Sequence, residues 1–240
     1  MCHGLTVCSE LGVDPKKWSK RCPLPVPDYF NDAVDRFTVA IQMISEGNQA
    51  ESLRALAMTN SELVRRFYID HGQQSSYFRV QNRLDIDNLQ KLKVKSNKTK
   101  RMNPKVEKEV FERDSYRCRY CELRIISKDV FSLYSQIVGP ENFSVERANE
   151  KRNGLTLGLR GVADHVDAYA SGGETLLENL VTSCYSCNFG KSGYALEQIG
   201  IEDPRKRMPK NDGWMGLTEY LKILKEKSKT NKQLRLLSRL

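Results

Sequence analysis

The sequence predicts an α+β fold, in which a small helical N-terminal region precedes a ββα unit built on a structural zinc site, and a basic helix follows it. Three observations lead to this prediction. Apolar residues recur at helical spacing over residues 28–46. Two short apolar stretches, 162–166 and 180–184, flank a Gly-Gly loop and are followed by a run that can form a helix. Two Cys-x-x-Cys pairs offer four thiolates to one metal ion.

Charge is distributed unevenly along the 240 residues, which carry 39 Lys and Arg against 30 Asp and Glu. Residues 91–120 have a net charge of +7 and residues 205–240 a net charge of +8, whereas the rest of the chain sums to -6. Such basic blocks attract phosphate polyanions, although solvated surface helices give the same pattern.

No apolar run approaches the ~20 residues of a membrane span, and no signal peptide is evident. We therefore expect a cytoplasmic protein without a membrane partner.

The two cysteine pairs are Cys118-Arg-Tyr-Cys121 and Cys184-Tyr-Ser-Cys187. Two intervening residues let both thiolates of a pair point at one ion, and two pairs complete a tetrahedral zinc site. The alternative is two unrelated pairs of buried thiols. The long gap between the pairs indicates an insertion, over about residues 122–158, that leaves from one side of the site.

The N-terminal region, residues 1–90, is predicted to be helical. Its helices are expected over residues 28–46, from Gln49 to Met58, and from the N-cap Asn60 to Gly72. This region has no catalytic signature and is a candidate docking module. Residues 91–103 are polar and basic, and we interpret them as a linker.

The remaining elements follow from Pro104 onward. A helix over residues 104–113 leads into the first cysteine pair, since proline suits the first turn of a helix. The insertion is expected to contain a helix over residues 130–138. Residues 205–240 form a basic helical tail, whose helix from Leu217 is predicted to break near Ser228–Asn231.

One stretch combines several short motifs between residues 161 and 193. They are Asp164-His165, Ser171-Gly172-Gly173, Glu178-Asn179-Leu180 and Cys184-x-x-Cys187-Asn188-x-x-Lys191. In combination with the first cysteine pair they resemble the HNH endonucleases, in the four-cysteine zinc branch that includes standalone bacterial restriction and anti-phage defence nucleases. The resemblance implies a ββα-metal nuclease domain over residues 104–204 and leaves residues 1–90 unexplained.

The resemblance also implies roles for individual side chains. His165 would activate water as the general base, and Asp164 and Asn188 would hold a catalytic Mg²⁺ or Mn²⁺. Asn188 stands where the family often has histidine, and its carbonyl oxygen still suits a hard cation. Asn179 would complete the catalytic set by bracing the loop between the strands. Nucleic-acid contacts are expected from Lys191, Arg117 and Arg119.

Neighbouring residues of an extended strand face opposite ways, so Asp164 and His165 could meet one phosphate only if the backbone were distorted there.

These expectations favour a metal-dependent phosphodiesterase acting on DNA rather than RNA, with double-strand cutting requiring a homodimer or two sequential events. A second hypothesis is an effector nuclease for tRNA or other RNA, held in check by a partner protein such as an ATPase. A third is a zinc-stabilised nucleic-acid-binding module without catalysis.

Overall fold

The computed structural model of the protein describes residues 19–72 and 102–237. Most of the predicted linker at 91–103 lies outside these residues. In chain order the elements are α1 Tyr29–Glu46, α2 Gln49–Ala57, α3 Ser61–Phe67, α4 Pro104–Arg113, α5 Lys128–Val138, α6 Gly154–Gly158, β1 Gly161–His165, β2 Leu180–Cys184, α7 Tyr185–Lys191 and α8 Leu221–Leu237. Within the described ranges, no helix has the length and apolar character needed to span a membrane.

The first three helices agree closely with the predicted N-terminal elements. α1 buries the apolar stripe on which its prediction rested, and it ends at Gly47, whose φ of 91° lies in the left-handed region. Asn60 precedes α3 as expected, but its side chain makes no capping hydrogen bond. α3 continues into a π-helical turn over Tyr68–Gly72 rather than running on as one α-helix.

The predicted insertion supplies part of the central core of the molecule. The ring of Phe37 in α1 lies 5.3 Å from Phe131 and 5.1 Å from Tyr134, both in α5, and 5.6 Å from Phe143. The buried hydroxyl of Tyr134 also lies 2.8 Å from Ser52 Oγ in α2. The N-terminal helices and the insertion therefore share one apolar core, which extends to the cysteine pairs.

The two strands form a small antiparallel sheet. Gly161 is paired with Cys184 and His165 with Leu180, and α7 begins directly after β2. The architecture is thus helical with one two-stranded antiparallel sheet, and the strands and following helix occur within one residue of their predicted positions. α4, which begins at Pro104 with Asn103 as its N-cap, packs across this sheet.

The predicted break in the C-terminal helix is wrong. α8 is continuous through Ser228 and Asn231, because both side chains make hydrogen bonds to α5 instead of competing for their own backbone. Ser228 Oγ donates to Gln136 Oε1 at 2.6 Å, and Asn231 Nδ2 donates to the carbonyl oxygen of Ile137.

Candidate metal centre and active site

The first cysteine pair lies in a tight turn after α4. The amide of Cys118 donates to the carbonyl oxygen of Leu123 at 2.9 Å, and the amide of Glu122 donates to that of Cys118 at 2.8 Å. Glu122 closes the turn with a φ of 63°, in the left-handed region. We call residues 117–124 the knuckle; its ends pair through a bridge between Arg117 and Arg124.

The second pair lies where β2 turns into α7. Cys184 is the last residue of β2 and the N-cap of α7, and its Sγ accepts a hydrogen bond from the amide of Cys187 at 3.4 Å. The corner between strand and helix therefore turns both thiols toward the knuckle. The amide of Arg119 fixes the knuckle against β2 by donating to the carbonyl oxygen of Thr182 at 2.8 Å.

The four thiols converge on one point. Their sulfur atoms all lie within 4.8 Å of one another, and the sulfurs of Cys121 and Cys184 are 3.7 Å apart. A tetrahedral zinc with Zn–S bonds of ~2.3 Å would place its sulfurs about 3.8 Å apart. Burial opposes ionisation of Cys118, but hydrogen bonds from the other three thiols outweigh it and lower its pKa. The donor set and its dimensions therefore fit zinc.

Asp164 and His165 end strand β1, which stays regularly paired with β2 through His165. The distortion that would turn both side chains toward one phosphate is therefore absent from this strand. In a regular strand the two side chains leave on opposite faces. Asp164 is 7% exposed, whereas His165 is half-buried.

The carboxylate of Asp164 is held by two buried groups. Tyr120 donates its hydroxyl to Oδ2 at 2.8 Å, and Lys191 Nζ lies 3.6 Å from Oδ1. Burial raises the pKa of Asp164 to about 6, although Lys191 and the tyrosine hydrogen bond oppose the rise. Because Tyr120 belongs to the knuckle, this hydrogen bond connects the cysteine cluster directly to the carboxylate.

The imidazole of His165 lies among polar and aromatic neighbours. Its Nε2 is 2.9 Å from Thr175 Oγ1, and its ring centre is 5.5 Å from that of Tyr169. The pKa of His165 is lowered, first by partial burial and then by the charge of Lys191. The ring is therefore neutral at neutral pH, as a general base must be.

Asn179 joins the two ends of the loop between the strands. Its Oδ1 accepts from the amide of Asp167 at 2.8 Å, and its Nδ2 donates to the carbonyl oxygens of Asp167 and Glu174 at 3.1 and 2.9 Å. The loop is so close that a Cβ on Gly173 would lie 1.8 Å from the carbonyl oxygen of Asp167. Arg205 also holds the loop, through a 2.8 Å contact with Asp167 Oδ2.

Asn188 and Lys191 lie on α7 in different surroundings. Asn188 is half-buried, and its side-chain amide makes no hydrogen bond to any other described residue. Lys191 is only 1% exposed and directs its ammonium group toward Asp164. Lys191 is therefore not a solvated surface lysine, and its contact with nucleic acid remains a prediction.

Arg117 and Arg119 are both largely buried and engaged within the protein. Arg117 forms a two-pronged ion pair with Asp212 and donates to the carbonyl oxygen of Glu122 at 2.7 Å. Arg119 donates to Asp114 Oδ1 at 3.0 Å and to the carbonyl oxygen of Pro204 at 2.6 Å. Their role as nucleic-acid contacts remains a prediction, whereas their contacts join the knuckle to the C-terminal part of the chain.

Sequence reasoning missed Tyr120 and Thr175. The position of Tyr120 between two metal-ligating cysteines required it to lie near the cluster, but nothing in the spacing pointed its hydroxyl at Asp164. Thr175 lies in the loop next to the Gly-Gly pair, where a hydroxyl has many local partners and carries no signal of its own.

Comparison with known proteins identifies one family. Residues 160–193 match the family model described as HNH endonuclease, which covers β1, the loop, β2 and α7. Together with the four clustered cysteines, this match fits the zinc-containing branch of that family. Neither the curated proteins nor the solved structures give a significant match.

Replacing one clustered cysteine should abolish zinc binding. Cys184→Ser removes a buried thiolate, so we expect purified wild-type protein to carry one zinc per chain and the variant to carry almost none. Elemental analysis measures the ratio. Cys22→Ser is the matched control, because Cys22 is also buried but lies outside the cluster. Zinc at wild-type level in Cys184→Ser would contradict the assignment.

Proposed function

We propose that this chain is a metal-dependent HNH endonuclease that hydrolyses phosphodiester bonds of nucleic acid, with DNA favoured over RNA. The observation that carries the proposal is the family match over residues 160–193, which spans Asp164, His165, Asn179 and Asn188. By its resemblance to standalone bacterial nucleases, we place the activity in restriction or anti-phage defence.

In the proposed reaction, His165 takes a proton from the water that attacks phosphorus. Its lowered pKa keeps the ring neutral at pH 7, and the contact of Nε2 with Thr175 fixes the orientation of the ring. Asn179 maintains the loop that carries Thr175 through its three hydrogen bonds to the backbone. General-base catalysis of this kind contributes ~10²–10⁴-fold in rate.

Asp164 and Asn188 are the residues that would hold a catalytic cation. Because Asp164 and His165 leave β1 on opposite faces, bringing both to one phosphate would require the end of β1 to depart from its regular pairing when substrate binds. The donors are a buried carboxylate and an amide without another partner among the described residues, and such hard oxygen ligands fit Mg²⁺ or Mn²⁺. A bound cation supplies charge neutralisation at the phosphate and at the leaving oxygen. Lys191, beside the same carboxylate, adds a buried positive charge that favours an anionic substrate at this position.

A cleavage assay tests the proposal directly. Purified protein should cut plasmid DNA with Mg²⁺ or Mn²⁺ and not with EDTA, and His165→Ala should lower the rate by about 10²–10⁴-fold because it removes the base. A parallel RNA panel tests the preference for DNA. His71→Ala is the matched histidine control, with thermal unfolding measured for both variants.

Equal cleavage by wild type and His165→Ala would contradict the assigned base. A complete lack of cleavage of DNA and RNA with every cation, while nucleic acid still binds, would favour a non-catalytic module.

Tyr120→Phe should weaken binding of the catalytic cation without loss of zinc. The change keeps the buried ring but removes the hydroxyl that orients Asp164, and loss of such a supporting contact costs about 10–100-fold in metal affinity. Electron paramagnetic resonance of Mn²⁺ titrated into zinc-loaded protein gives the affinity. Tyr134→Phe is the matched control, because it removes another buried hydroxyl contact, with Ser52, in the helical core. Equal Mn²⁺ affinity in the two variants would rule out the role of Tyr120.

A further inference from the structure

A cavity of about 280 Å³ lies beside the knuckle, on residues that take no part in the contacts of Asp164 or His165. Its lining is unusually rich in positive charge. Five cationic side chains and one carboxylate surround it, namely those of Arg21, Arg117, Arg119, Arg207, Lys210 and Glu122.

The cations of this cavity differ in how far their charges are compensated. Arg117 and Arg119 pair with Asp212 and Asp114. Among the described residues, Arg21 forms an ion pair only with Glu122, at 3.7 Å, with the two side chains 60% and 47% exposed. An exposed pair at that distance contributes little stability and is easily separated.

Arg207 and Lys210 have no carboxylate within ion-pair distance among residues 19–72 and 102–237. Cys118 of the cysteine cluster also lines the cavity, and among the arginine, lysine and glutamate side chains of the lining positive charge exceeds negative charge.

Arg207 has a donor that lacks an acceptor. Its Nη2 donates to the carbonyl oxygens of Arg119 and Arg21 at 2.6 and 3.4 Å, which fixes the guanidinium at the wall of the cavity. Its Nε is buried and finds no hydrogen-bond partner in the described part of the chain. Burial, followed by the charges of Arg21 and Arg119, lowers the pKa of Arg207. An anion bound in the cavity would relieve the repulsion between these charges.

We propose that this cavity is a second phosphate site, which binds a backbone phosphate of nucleic acid away from the scissile bond. Arg207, Arg21 and Lys210 contact the phosphate, and Arg117 and Arg119 shape the wall. A guanidinium fork matches phosphate geometry, and an ammonium group adds a point charge. Glu122 competes with the phosphate for Arg21. The identity of the ligand rests on the proposed function, whereas the anion site itself rests on the geometry and charge of the cavity.

The test is a salt titration of nucleic-acid binding in the His165→Ala background, where a labelled DNA duplex stays intact. Fluorescence anisotropy gives the dissociation constant at each salt concentration. Arg21→Ala with Lys210→Ala should weaken binding and reduce the slope of log K against log salt by about 1–2, because each lost phosphate contact lowers it by ~1. Glu122→Gln should instead tighten binding, because it releases Arg21.

Matched controls come from an exposed ion pair on α2, in which Arg54 Nη2 lies 2.9 Å from Glu51 Oε1. Away from the cavity, Glu51→Gln makes the same change in charge as Glu122→Gln, and Arg54→Ala removes one of the two positive charges that the double variant removes. Both should leave affinity and slope nearly unchanged. Inorganic phosphate and a mononucleotide, added as competitors, separate a site for free phosphate from a site for the nucleic-acid backbone.

The proposal is overturned if the cavity variants behave like their α2 controls, if the His165→Ala protein with an unchanged cavity does not bind the duplex, or if free phosphate binds the cavity without competing with the duplex. These outcomes are separate from those of the cleavage assay. A protein that cuts DNA but shows no effect of the cavity variants keeps the proposed function and loses the second site. If the cavity variants have the expected effects on binding but the protein never cuts nucleic acid, the anion site is supported and the nuclease function is rejected.

Discussion

Four thiols within 4.8 Å of one another are the constraint on which the arrangement of this protein depends. Cys121 and Cys184 are 63 positions apart in the chain, so everything between them must leave the cluster and return to it. The residues between them form α5, which packs in the core against α1, and then β1, which pairs with β2. Tyr120, which lies in the knuckle, donates a hydrogen bond to Asp164 and so fixes the carboxylate relative to the knuckle. The geometry of the candidate active site is therefore set partly by the cysteine cluster beside it.

A buried carboxylate provides a second connection between the same elements. Asp114 is fully buried and accepts hydrogen bonds from Arg113, Arg119 and the amide of Thr182. Such a charge is tolerated only while its partners remain, since removal of one partner of a buried ion pair costs about 3–5 kcal/mol. Arg119 thus stabilises the contact between the knuckle and β2, whatever else it binds. Part of the positive charge in residues 91–120 is therefore engaged in contacts within the protein.

Local patterns in the sequence predicted the local elements well. Helical spacing predicted α1, two short apolar stretches on either side of the Gly-Gly loop predicted both strands, and the Cys-x-x-Cys pairs predicted a cluster that the structure brings together. The helix, the strands and each cysteine pair rest on residues close in the chain, whereas the joining of the two pairs follows from the four ligands that one zinc ion requires. The burial of Lys191 was not predictable in this way, because it depends on Asp164, which lies on another element. The burial of Arg117 was not predictable for the same reason, because its partner Asp212 is 95 positions away in the chain. The continuity of α8 through Ser228 likewise depends on a side chain of α5.

The central claim is that the cysteine cluster holds the nuclease site in its working geometry, and controlled removal of zinc tests it most directly. A chelator selective for zinc over magnesium would be titrated into the protein with Mg²⁺ in excess, while released zinc and DNA cleavage are measured in the same samples. We expect cleavage to fall in proportion to the zinc released and to return when zinc is restored. Zinc-free protein that cuts DNA at the full rate would contradict the claim.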